Sequence, residues 1–488
     1  MKCVLTQRLA LTLFAAVLAG CSMAPAYQRP QAPVPVNYPV ARSEMASINE
    51  ASNLDDWRAY FTEPVLNHLI EVALASNRDL RAASLRILEA RALYGIQLAD
   101  RLPAVDGTVS YNRGRTVDPM LNENVVASQY QAALSVTAFE LDLFGRVKSL
   151  SDAALADYFA SEEAQHAVQI SLIAEVASAY VAERALYDQE RLALQTLTAR
   201  DGIYALTKRR YDAGMSTAIE LRTAEMLVQS ARASLAALAR ERTQAKNALQ
   251  LLVGDFTVDL PRATPVLDDL SIAPVAAGLS SDLLMRRPDI RAAEQRLKAA
   301  NANIGAARAA FFPSVRITTD MGLVSDGFSG LFAGGSGAWS FAPQLTLPIF
   351  SGGRNRANLN LATVRKDIAV ADYEKAIQTA FREVSDALAA RDQIDVQLDA
   401  QKAVYAADDE RMRLAQRRYQ SGVATYLELL DAQRSLFESG QALIQLKQLR
   451  LTNAISLYRA LGGGWSSGES IPIYSMQIQF IRALKNES

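Results

Sequence analysis

The chain is written twice. Residues 206–221 and 414–429 share the skeleton Arg-Arg-Tyr-x-x-Gly-x-x-Thr-x-x-Glu-Leu, and Asp79–Ala83 matches Asp289–Ala293 at nearly the same offset. Arg86 with Arg296, Ala99 with Ala309, Pro103 with Pro313, and Gly145-Arg146 with Gly353-Arg354 keep that spacing. The fold must therefore be two copies of one unit of roughly 200 residues.

Each copy has the same layout. A helix comes first, about Pro64–Leu102 or Ser281–Phe312, stopped by Pro103 or Pro313. Two alternating segments follow: Val105–Tyr111 with Tyr130–Leu141, and Val315–Leu323 with Trp339–Leu347. Tyr130, Ala132, Leu134, Val136 and Ala138 fall on one strand face, as do Trp339, Phe341, Leu345 and Leu347. Asn112–Gln129 and the Gly-rich Ser325–Ala338 read as connections. Proline-free helical stretches come next, about Ser149–Tyr211 and Arg356–Tyr419, each on the order of 90 Å long. Turns at Gly214 and Gly422 reverse the chain into helices that end at Gly254 and Gly462.

Four strands are too few to close a barrel, for which about eight is the minimum. Lipid does not tolerate open sheet edges, so a membrane role requires several chains to share one barrel. The expected fold class is a mixed α+β membrane protein. Three chains would build a twelve-stranded β-barrel, four strands each, continued by a barrel of long α-helices. Expected boundaries are 1–20 for a signal peptide, 21–62 for an anchored extended segment, 63–273 and 274–465 for the repeats, and 466–488 for a tail.

The N-terminus sets the compartment. Lys2 and Arg8 flank an apolar run, Leu9–Leu18, that suits a secretory signal peptide and is too short to span a bilayer. Leu18-Ala19-Gly20-Cys21 resembles a bacterial lipobox, so Cys21 is expected to carry S-diacylglycerol and an N-acyl chain; a plain signal peptide with an incidental cysteine is the alternative. Ser22 resembles an outer-membrane sorting signal. Pro25–Pro39 reads as an extended tether.

Composition narrows the chemistry. Lys and Arg number 51 against 52 Asp and Glu, which argues against nucleic acid as a partner. Two cysteines, Cys3 and Cys21, and two histidines, His68 and His166, leave little means for a zinc site or a histidine relay. No nucleophile–base set is present, so an enzyme is not expected and no cofactor beyond the lipid is implied.

Several stretches carry a family resemblance. Asp56–Pro64, Asn77–Leu80, Arg286–Glu294, Phe311–Pro313, Leu347–Phe350, Tyr426–Gln433 and Ala460–Trp465 are similar to OprM-like outer-membrane efflux lipoproteins of the TolC superfamily. The resemblance implies a homotrimer in the outer membrane with a long periplasmic helical barrel. It also implies two partners, a periplasmic adaptor and an inner-membrane resistance-nodulation-division pump. Loops 112–129 and 325–338 would face outside, with Gly214 and Gly422 at periplasmic tips that dock the adaptor. The implied function is passive export of drugs or other small toxic compounds.

Leu427, Glu428 and Asp431 share one helix face by their spacing, and the resemblance places them at the periplasmic constriction. Threefold symmetry would gather their carboxylates and store repulsion. Glu220, the repeat counterpart of Glu428, is expected to pair with Arg418 or accept a hydrogen bond from Tyr419 between hairpins. An arginine latch found in one branch of the superfamily is missing at Ala424. Two other readings stay open: a duct for protein secretion, and a lipid-anchored periplasmic scaffold without a pore.

Overall fold

The computed structural model describes residues 22–35, 38, 56–117, 124–258, 266–273 and 281–463. In chain order the elements are α1 (Trp57–Tyr60), α2 (Pro64–Ser76), α3 (Arg78–Ala99), β1 (Asp106–Val117), β2 (Asn124–Leu141), α4 (Arg146–Asp212) and α5 (Ala218–Val253). Then come α6 (Pro288–Ala309), β3 (Ser314–Ser325), β4 (Gly337–Thr346), α7 (Arg354–Gln420) and α8 (Tyr426–Ala460). At 67 residues each, α4 and α7 are several times the usual helix length. Signal peptide, Cys21 and the tail 466–488 lie outside the described residues. The chain divides into two compact units.

One unit gathers residues 84–164 and 291–376 with the N-terminal stretch up to Ala32. Its sheet is antiparallel in the order β1-β2-β3-β4, so β1 and β4 are open edges. The first hairpin is longer than its polar composition suggests. Asn112–Val117 pairs with Asn124–Gln129, residues expected as loop, because a partner strand in register outweighs weak strand propensity. The apolar alternation also shifts. Between Val136, opposite Thr319, and Phe139, opposite Ile317, β2 carries one extra residue. Ala138 takes φ +54°, and its N–H receives the Thr318 hydroxyl as acceptor at 3.2 Å. Ala138 is therefore part of a β-bulge and does not continue the face of Val136.

Helices in this unit meet through small residues. Ala153 and Ala156 of α4 pack on Ala299 and Ala302 of α6. Gly305 allows the N-terminal strand to lie on α6, since a Cβ there would stand 2.7 Å from the Ala24 nitrogen. Asn301 donates to the Pro25 carbonyl at 2.8 Å, and Arg308 to that of Met23 at 3.3 Å. Glu294 accepts from Tyr27 at 3.1 Å and holds Arg29 bidentately at 3.0 and 2.8 Å.

The other unit gathers residues up to Ala83, 165–290 and 377 onward. The single helix expected over 64–102 is two helices here, broken at Asn77. The Asn77 side chain accepts from the Asp79 and Leu80 amides at 2.9 Å each and donates to the Leu252 carbonyl at 2.8 Å. That one residue ends α2 and caps α3. Arg287, in the repeat motif at the start of α6, is another junction. It forks onto Asp289 at 3.0 and 2.7 Å and reaches Glu383 at 3.0 Å and the Ala460 carbonyl at 2.6 Å.

Candidate functional site

The repeated skeleton turns out to be a recipe for a helical hairpin. Gly214 and Gly422 take φ +72° and +77°, where a β-carbon would be strained. The amide after each glycine reaches back to an arginine carbonyl, Met215 to Arg210 at 2.8 Å and Val423 to Arg418 at 2.9 Å, a Schellman closure. Thr217 and Thr425 then start α5 and α8 as N-caps, accepting from the Glu220 and Glu428 amides.

The two glutamates diverge. Glu220 completes a capping box, accepting from the Thr217 amide at 3.1 Å and from the Ser216 hydroxyl. These bonds, the hydroxyl first, hold its carboxyl below the usual range. The second tip has Ala424 in place of that serine, and Glu428 leaves its cap for Arg418 at 3.2 Å. Within the chain, then, Arg418 pairs with Glu428 and not with Glu220, whose oxygens are spent on its own turn.

Tyr419 joins the two hairpins by other means. It is buried, its hydroxyl lies 3.4 Å from that of Thr207, and its carbonyl accepts from Arg210 at 3.3 Å. The Arg210 guanidinium sits 5.0 Å above the Tyr419 ring. Ile203, Ala224, Met412, Ala415, Tyr426 and Leu429 complete the core beneath the tips. Burial there pushes the Tyr426 phenol up to about 12.

Tyr426, Leu429, Ala432 and Gln433 form the buried face of α8. Leu427, Glu428 and Asp431 lie on the other face, with Leu427 71 % exposed. The carboxylates are not bare. Asp431 accepts from Arg411 and Arg434, each at 3.3 Å, so guanidiniums offset the repulsion that spacing alone implies. Met215, Ile219 and Val423 add exposed apolar surface to the tips.

The sheet forms a second feature. Its register lines up Gly107, Leu134, Met321 and Trp339, and next to them Val109, Ala132, Leu323 and Gly337, on one apolar face. The opposite face lines up Asp106, Ser135, Asp320 and Ser340, with Ser110 and Gln131 beyond. Past the bulge Phe139 and Leu141 rejoin the apolar face. Glu140 takes the polar one, bidentate with Arg146 at 2.7 and 2.9 Å. No described helix is long and apolar enough to cross a membrane.

Comparison with known proteins places this architecture. The outer membrane efflux protein family model matches residues 69–255 and 279–463, a stretch in each repeat. The toluene efflux pump outer membrane protein TtgC of Pseudomonas putida is 46 % identical over 465 residues, covering 94 % of this chain and 95 % of the relative. Outer membrane protein OprJ of Pseudomonas aeruginosa is 47 % identical over 468 residues, with 95 % and 97 % covered. The open state of the MtrE outer membrane channel of Neisseria gonorrhoeae superposes with a TM-score of 0.83 at 41 % identity, covering 91 % of this chain and 98 % of that one. The fold is that of trimeric outer-membrane channels, mostly helical with a four-stranded sheet per chain. On this fold and these relatives, the chain belongs to the outer membrane efflux protein family and serves in the outer membrane as the exit duct of an efflux pump.

Proposed function

We propose that β4 of one chain pairs with β1 of the next until three chains close a twelve-stranded barrel. Its apolar face would meet lipid and its polar face would line the duct. The observation that carries this is the sheet itself: two unpaired edges and one uniformly apolar face, which water would not favour and lipid would not permit unless the edges were paired. The duct conducts passively and catalyses nothing. A periplasmic adaptor docks on the tips around Gly214 and Gly422, whose exposed apolar residues suit a protein partner, and an inner-membrane resistance-nodulation-division pump supplies energy. Cys21 carries the lipid anchor, a reading supported by the strand at 22–29 held along α6.

In this reading Leu427 narrows the periplasmic mouth, and Glu428 and Asp431 tie it shut through Arg418 and Arg411. Planar-bilayer conductance of wild type beside the Glu428→Ser/Asp431→Ser double variant tests both parts. A small, cation-preferring conductance that grows severalfold in the variant, with reduced preference, is the expected result. An unchanged conductance would discard these gate residues and keep the duct. Silence from both, with inserted protein shown, would sink the duct itself.

A further inference from the structure

The apolar face of the sheet has a definite upper boundary, and two arginines stand just beyond it. On β1 the residues of that face run Val109, Tyr111, Arg113, Arg115, and their cross-strand partners on β2 are Ala132, Tyr130, Ser128 and Val126. Tyr111 and Tyr130 stack with centroids 4.5 Å apart, and Phe328 meets Tyr130 edge-on at 5.8 Å. Such a cluster marks a membrane interface, where aromatic rings bridge hydrocarbon and head groups. From Tyr130 to Leu141 a tilted strand covers roughly 25 to 30 Å of height, the depth of a hydrocarbon layer. Arg113 and Arg115 therefore begin where the head groups begin. Both are exposed, and among the described residues neither forms an ion pair. Ser128 and Val126, across from them, offer no charge.

We propose that Arg113 and Arg115 bind the phosphates of the glycolipid in the outer leaflet. The inference rests on the barrel reading above, with the β1–β2 loop on the outer side. Residues two apart on a strand project from the same face about 7 Å from one another, which suits a head group bearing more than one phosphate. Guanidinium is the side chain best shaped for bidentate phosphate recognition. The charge sits beside an aromatic pair that can cover the first sugar or acyl carbons, so one lipid would meet both features together.

The test uses the full-length protein in mild detergent, followed by native mass spectrometry and thermal melting. The probes are bis-phosphorylated lipid A, the same lipid with its phosphates removed, and inorganic phosphate alone. Wild type should retain lipid A and melt higher with it. Arg113→Ala/Arg115→Ala should bind about a hundredfold more weakly, about tenfold for each charge-assisted contact. Arg113→Lys/Arg115→Lys keeps the charge and should keep much of the binding, guarding against a variant that merely misfolds. Equal binding by the dephosphorylated lipid, an equal effect of inorganic phosphate, or undiminished binding by the alanine variant would each overturn the proposal. Conductance separates the two readings: lost lipid binding in a variant that still conducts concerns the arginines alone, whereas a silent wild type would discard the barrel.

Discussion

Arg287 shows how much one side chain can hold. Its guanidinium, 8 % exposed, ties the start of α6 to Glu383 on α7 and to the last carbonyl of α8, while Gly462 leaves room for its stem. Arg287→Ala would leave Glu383 and the Ala460 carbonyl without their donor, at a cost of about 2 to 4 kcal/mol. Urea or thermal unfolding of the purified protein should show that loss, and a change under about 0.5 kcal/mol would refute it. The sequence marks Arg287 only as part of a family motif. Its partners lie 96 and 173 positions away, and no local pattern reports contacts at that range.

Among elements, the two tips differ through one hydroxyl. Glu220 is bound by Ser216 and Thr217 and titrates below the usual range. A lowered folded pKa means its cap stabilises fully above the unfolded value of about 4.3, and that contribution fades as pH falls through the folded value. Hydrogen exchange at the Thr217 amide should therefore lose protection in acid, and Glu220→Ala should abolish that step. Matching pH responses at Thr217 and Thr425 would contradict it, because Glu428 is turned away from its cap. The tips were legible as turns, since glycine, threonine and glutamate spacing carries the local geometry of both. What could not be read was the choice between cap and ion pair, which depends on Ser216 against Ala424 and on the reach of Arg418. Asn77 was hidden likewise, because a break with unbroken apolar spacing on both sides looks like one helix.

For the whole molecule, the repeat and the four strand pairs carried most of the inference, and the physics of open edges supplied the rest. The loop in the first hairpin was overestimated because polar strand residues near a membrane surface look like loop. Anchorage can be checked directly. Intact-mass analysis of protein from a lipidating host should give a chain starting at Cys21, heavier than its peptide by a diacylglycerol and an acyl group. Cys21→Ser should lose both; an unmodified wild-type cysteine would remove the anchor from the scheme.

The bulge at Ala138 has a consequence for how this family can vary in length. Strand residues obey a two-beat count, and the extra residue resets that count partway along β2. Deleting it would turn Phe139 and Leu141 towards the water-filled bore and press Glu140 into hydrocarbon. The connecting loops can lose or gain residues without such penalty. β2 thus behaves like a coding frame, in which a single deletion garbles everything downstream and only paired changes are silent.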